Sequence, residues 1–170
     1  TFADEVRPEL AAEGIHILAW DELNEAERAR MASMFSDRIL PILTPLAVDP
    51  SHPFPYISGL SVNLAVLLRN RATVARQCAR VKLPTNLPRF IRLSDSRYVP
   101  LEDVIGYHLG HLFTGMDILE WTTFRITRNE DLEVEEDDAE NLLHALEKEL
   151  LRAKVGRPPV RLEIVAGIDE

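Results

Sequence analysis

The sequence predicts an α+β fold: a helical N-terminal segment followed by a mainly antiparallel sheet with helices packed on one face. Three observations predict it. Apolar residues recur at helical spacing before residue 40, while short stretches between 60 and 93 alternate instead, as strands do. Helical spacing returns at Leu101–Phe113 and again beyond Asp137. A proline-rich stretch near 41–58 separates the first two regimes.

The elements follow in order. Phe2, Val6 and Leu10 are spaced by four, and Gly14 ends this first helix. Ile15–Leu18 reads as a short extended link. Asp21 reads as the cap of a second helix, with acids early and Arg28, Arg30 and Arg38 later, as the macrodipole favours. Its buried side is Leu23, Ala26, Met31, Met34, Phe35, Ile39 and Leu40, and Pro41 stops it. Two helices with one apolar stripe each cannot enclose a full core. Residues 1–40 therefore read as the end of a helical domain, and 41–170 as the domain that follows.

Five prolines (Pro41, Pro45, Pro50, Pro53 and Pro55) fix φ, remove backbone donors and push their predecessors towards extended geometry. No ordinary helix or central strand can run through that stretch. Yet Ile42, Leu43, Leu46, Val48, Phe54, Tyr56 and Ile57 make it apolar, so it is expected to lie extended against a surface. Val62–Leu68, Gln77–Leu83 and Phe90–Leu93 read as strands, with Asn70–Thr73 as a hairpin loop. Leu101–Phe113 reads as a helix, and Ile118–Trp121 and Thr123–Thr127 as two further strands. Asp137 or Asp138 is placed to cap a long helix reaching about Val155, with Leu142, Leu143, Leu146, Leu150 and Leu151 as its stripe. Val160–Val165 reads as the last strand.

Composition narrows the function classes. The hydrophobic fraction of 46% suits a globular protein, and no apolar run approaches the roughly 20 residues of a membrane span. The acidic start Thr1–Glu5 is unlike a signal peptide, and the missing initiator Met suggests a piece of a longer chain. A single cysteine, Cys78, permits no internal disulfide and agrees with a reducing compartment. Net charge is −9, but Arg69–Arg97 holds eight basic residues against one acid. Glu130–Glu140 holds eight acids and no base. An acidic protein with one basic segment can still hold a polyanion there.

Phosphate-cradling, nucleophile-elbow, zinc-protease and paired-cysteine motifs are all missing. His108 and His111 share a helix face and invite a metal search, with Glu102 or Asp103 as further ligands; the plainer reading is two partly exposed surface residues, so no metal site is expected. His52 reads as a turn-fixing hydrogen-bonding residue. The acidic run could bind magnesium, but reads better as a solvated linker whose last acids favour the next helix start.

The basic segment is the best candidate. Arg80 and Lys82 alternate with Val81 and Leu83, so both should project from one face of a strand. Arg125 and Arg128 come from another strand. A sheet face carrying several guanidinium groups could hold phosphate oxygens. The competing reading is surface ion pairing with the abundant acids. Trp20 and Trp121 read as core or boundary residues. Basic and aromatic residues do not interleave as in single-strand binders, so no nucleic-acid partner is expected, although an independent anion- or nucleic-acid-binding α+β module remains the alternative.

Several passages also carry a family likeness. They are 41–58, Ala79–Pro84 (ARVKLP), Leu87–Phe90, Pro100–Glu102 with Ile105, and Leu112–Met116 (LFTGM). Phe124–Asn129, Asp131–Val134, Leu142, Leu143, Glu147, Glu149, Leu150 and Val160–Glu163 continue the series. In one collinear order they resemble the bacterial polyphosphate kinase family of the long, multidomain type. Thr114, Gly59, the Gln77–Cys78 pair and the 156–159 loop depart from its pattern. The resemblance implies the end of the N-terminal helical domain plus the head, or middle, domain. It implies a parent enzyme that moves the terminal phosphate of ATP reversibly to polyphosphate through a phosphohistidine, with magnesium. It also implies a homo-oligomer in the cytoplasm, with a peripheral place at the inner membrane. The family's phosphorylated histidine, phosphate-binding arginines and adenine contact match no position here. No catalytic or nucleotide-binding residue and no bound cofactor are therefore expected, and the piece alone should be inactive. Its role would be architecture, dimerisation and framing of the active site, with polyphosphate contact through Arg80, Lys82, Arg125 and Arg128.

Overall fold

In the computed structural model the described residues are 2–48, 56–128 and 159–165. The expected helix at 137–155, the acidic run 130–140 and His52 lie outside them. The chain opens with a wide turn over Phe2–Val6 that runs into α1 (Arg7–Ala12), then β1 (His16–Ile17). Gly14 ends α1 at a φ of +78°, a conformation glycine adopts without strain.

Asp21 does not cap the second helix. It sits in a short turn, Trp20–Glu22, where the Glu22 carboxylate accepts the Ala19 N–H. The cap is Asn24, whose Oδ1 accepts from the Glu27 N–H at 2.9 Å while the Glu27 carboxylate accepts from the Asn24 N–H at 3.0 Å. That reciprocal pair starts α2 (Glu25–Met34) three residues later than expected. A wider turn, Phe35–Ile39, prolongs α2 before the chain turns at Leu40–Ile42, around Pro41.

Two sheets follow. One has five strands in the order β2 (Pro45–Val48), β4 (Arg76–Lys82), β3 (Val62–Asn70), β7 (Met116–Arg128), β8 (Pro159–Ile164), every pairing antiparallel. The other has three strands: β6 (Arg97–Pro100) lies between β5 (Phe90–Ser94) and β1, with β1 and β6 parallel. Sequence alternation did not reveal β2, β1 as a strand, or β6. Each has two to four residues, too short for a period to register. The proline-bearing β2 is an edge strand, the place in a sheet that tolerates proline.

β7 is one strand of 13 residues, not two. Thr122 pairs with Ala65 in regular register, and the one irregularity against β3 is a bulge at Leu119, where Leu67 and Leu68 face Glu120 and Ile118. The helix at 101 is also shorter than expected: α3 (Leu101–Tyr107) gives way to a tight turn over Leu109–His111.

The main core lies between the helices and one face of the five-stranded sheet. Met31, Phe35 and Ile39 meet Leu64, Val66 and Val81 from the sheet and Val104, Ile105 and Leu109 from the region of α3. Burying each such side chain contributes roughly 1.5–3 kcal/mol. Among the described residues the opposite face carries a small cluster, Ile57, Phe124 and Ile126, with Ala65 against it. That thinly covered face positions the basic residues. No helix among the described residues is long and apolar enough to cross a membrane.

Candidate anion-binding site

The register of the central strands decides where each cation points. Arg80 pairs with Ala65 and Lys82 with Asn63, so both side chains leave the sheet on the thinly covered face. Arg125 pairs with Val62 on one side and Glu163 on the other, which puts it on the helix-bearing face. It forms an ion pair with Glu163 there, across the sheet from Arg80 and Lys82.

Arg80 does not project into solvent as strand alternation alone would suggest. It is 7% exposed, with Nε donating to Asn63 Oδ1 at 2.9 Å and Nη1 donating to the Tyr56 carbonyl at 2.7 Å. Asn63 is itself fully buried, and its Nδ2 donates to the Ser61 carbonyl at 2.8 Å. Lys82 Nζ donates to Ser58 Oγ at 2.9 Å. Arg128 Nε donates to the Ile57 carbonyl at 2.8 Å, with its guanidinium 4.9 Å from the Tyr56 ring centroid. Three cations from two strands thus hold three consecutive residues, Tyr56, Ile57 and Ser58, where the chain leaves the proline-rich stretch. Asn63, Tyr56 and Ser58 were not read as site residues in the sequence. The available signal was Asn63, a lone amide in the otherwise apolar run Val62–Leu68.

Charge compensation separates the basic residues. Arg69 and Arg71 share Asp117, Arg89 is paired with Glu102, Arg92 with Asp95, and Arg97 with Glu27. For these five the ion-pairing reading holds. Among the described residues, Arg80 and Lys82 have no carboxylate partner; their hydrogen-bond acceptors are neutral oxygens. Burial pushes the Arg80 guanidinium below its usual range. A desolvated cation without a counter-ion leaves its field open to an anion. Arg80 and Lys82 line a cleft of about 440 Å³, together with Ile42, Thr44 and Leu46 on one side and Leu83 to Asn86 on the other. Thr44, Thr85 and Asn86 thus line the same cleft as the two cations.

The histidines fall elsewhere. His108 is buried, not surface-exposed: its ring stacks on Phe35 at 4.7 Å, meets Trp20 edge-on at 5.2 Å, and its Nδ1 is 2.7 Å from the Val104 carbonyl. Burial lowers its pKa, with the His111 charge adding to that and the Val104 contact opposing it. Glu102 is bound to Arg89. Among the described residues no three histidine, cysteine or carboxylate side chains converge as a metal site would require.

A family profile described as the polyphosphate kinase middle domain matches residues 26–170. The chain belongs to the polyphosphate kinase family. The polyphosphate kinase of Streptomyces coelicolor is 63% identical over 168 residues, covering 99% of this chain and 22% of that protein. The polyphosphate kinase of Mycobacterium avium is 50% identical over 181 residues, covering 99% of this chain and 25% of that protein. The crystal structure of polyphosphate kinase from Porphyromonas gingivalis superposes with a TM-score of 0.69 at 30% identity, covering 77% of this chain and 22% of that one. This polyphosphate kinase middle domain therefore spans a quarter or less of the length of these relatives.

Proposed function

We propose that the chain is a non-transferring part of a polyphosphate kinase: it supplies architecture, self-association and framing of the active site, and it contacts polyphosphate at the Arg80–Lys82 cleft. The parent reaction in this reading is ATP + polyphosphate(n) ⇌ ADP + polyphosphate(n+1), through a phosphohistidine carried outside this chain, in the cytoplasm. In-line phosphoryl transfer needs a nucleophile and groups that neutralise the transferred charge. His108, stacked on Phe35 in the core and held to a helix carbonyl, is not placed as such a nucleophile. ATP and magnesium belong to the parent reaction; among the described residues no three histidine, cysteine or carboxylate side chains converge.

The observation that carries the polyphosphate contact is the uncompensated pair Arg80 and Lys82 at the mouth of the 440 Å³ cleft. Repeating phosphoryl oxygens match a guanidinium fork and a point charge side by side. Arg128 supports the contact by fixing Ile57, whereas Arg125 is bound to Glu163 on the far face.

The test is titration of the 170-residue chain with polyphosphate at several salt concentrations. Binding should weaken steadily with salt, and Lys82→Ala should lower affinity about tenfold with folding intact, the loss of one charge-assisted bond. Arg80→Lys keeps charge but loses the fork, and should also weaken binding. Unchanged affinity in both variants rejects the contact. Equal binding of a nucleic acid of matched charge would favour the general anion-binding module. ADP formation from ATP and polyphosphate by the chain alone would reject the non-transferring reading.

A further inference from the structure

We propose that an anion entering the Arg80–Lys82 cleft displaces Tyr56 and Ser58 from these two cations and so loosens the far end of the proline-rich stretch. The inference rests on the reading that the cleft takes an anion, and it adds what binding does to the chain. Oxygen atoms of this chain already occupy donors that a phosphate would use. Arg80 Nη1 donates to the Tyr56 carbonyl at 2.7 Å, and Lys82 Nζ donates to Ser58 Oγ at 2.9 Å. Both acceptors are neutral. An anionic oxygen forms a shorter and roughly twice as strong bond with the same donors, so the anion wins the exchange. Arg80 keeps its other bond, Nε to Asn63 Oδ1, throughout, and stays oriented.

The two ends of the stretch are held differently. At its near end Ile42, Thr44 and Leu46 line the cleft, and β2 is fastened to β4 by a backbone ladder in which Leu46 pairs with Arg80. An anion at the side-chain cations leaves that ladder alone. Residues 56–58, by contrast, belong to no strand. Among the described residues they are tied to β4 by the two side-chain bonds just named. Ile57 between them is buried against Phe124 and Ile126, and its carbonyl accepts from Arg128 Nε on β7. Displacement therefore frees Tyr56 and Ser58 and leaves Ile57 as the pivot. Linkage works in both directions: whatever holds Tyr56 and Ser58 on the cations weakens anion binding by the same factor by which the anion loosens them.

The test compares Ser58→Ala with the parent chain in titrations with polyphosphate. The variant removes the hydroxyl that Lys82 holds and keeps the Ser58 carbonyl, which accepts from the Ser61 N–H and hydroxyl. Polyphosphate should bind it about fivefold more tightly, because one ordinary hydrogen bond no longer has to be given up. In a Lys82→Ala background the same substitution should change affinity no further, since the bond it removes is already gone. In the parent chain, polyphosphate should speed amide hydrogen exchange across 56–61 and leave exchange in β3 and β4 unchanged. Equal or weaker binding by Ser58→Ala, or unaltered exchange across 56–61 on binding, rejects the displacement while the anion contact stands. If polyphosphate binds neither the parent chain nor Ser58→Ala, both fall.

Discussion

Asn63 and Arg80 are bound to each other across the β3–β4 pair, Nε to Oδ1 at 2.9 Å, and both are withdrawn from solvent. The amide orients the guanidinium and takes up one of its donors without neutralising its charge. Asn63→Ala should therefore cost about 3 kcal/mol, since it leaves a buried charged donor unmet. Urea denaturation measures it. A loss below about 1 kcal/mol would mean that water replaces the amide. Polyphosphate affinity should fall with it, because the fork loses its orientation.

Phe35 carries the core on one side and the His108 ring on the other. Phe35→Ala should destabilise the fold by about 3–5 kcal/mol through the cavity it leaves. His108 should then titrate closer to its ordinary value, as water reaches the ring. Histidine resonances followed across pH report this directly.

Gly106 is present because of Trp121. A Cβ at this position would stand 2.3 Å from the Trp121 ring, closer than two carbons can approach. Gly106→Ala should displace the indole, shift the tryptophan emission and cost about 1–3 kcal/mol. Gly110→Ala is the control: its added Cβ meets nothing within 4 Å, and the emission should stay in place.

Two groups near Trp20 give the fold opposite pH dependences. Burial pushes the Asp103 carboxyl up from 3.8 to about 6, with the Glu102 charge reinforcing this and the Trp20 backbone N–H opposing it. The folded state then holds a proton that the unfolded chain has released, so Asp103 removes stability as pH rises from about 4 to about 6. His108, with its pKa lowered by burial, does the reverse: its contribution is complete above 6.5 and is lost as pH falls below that value. Asp103→Asn keeps the acceptor for Trp20 and should gain stability relative to the parent between pH 4 and 6, then hold that gain above 7. His108→Leu should abolish the fall below pH 6.5. Denaturation midpoints at half-unit pH intervals separate the two.

What could be read in the sequence follows from how local each cause is. β3 and β4 were legible because five or more alternating residues carry a period, and Gly14 because a helix stop is a one-residue property. The sequence reading placed the cap at Asp21; that Asn24 caps instead depends on Glu27 folding back three residues later. The unbroken path of β7 through Thr122 depends on its regular pairing with β3 there, with Leu119 left over as a bulge further back, and β7's own residues do not encode that pairing. The same holds for the candidate site. Alternation put Arg80 and Lys82 on one face. That the face also holds Asn63, and that Arg125 points the other way, follows only from which strand lies beside which. The clamp on 56–58 joins residues 24 to 71 positions apart, beyond any local pattern.

The way Tyr56, Ile57 and Ser58 are fastened has a mechanical consequence. Ladder bonds between strands are short and stiff, whereas here the grip passes through the long side chains of Arg80, Lys82 and Arg128. Such a fastening works like a set of sprung hooks. It yields by rotamer changes along several methylenes while the strands behind it keep their register, so residues 56–58 can shift without the sheet following them.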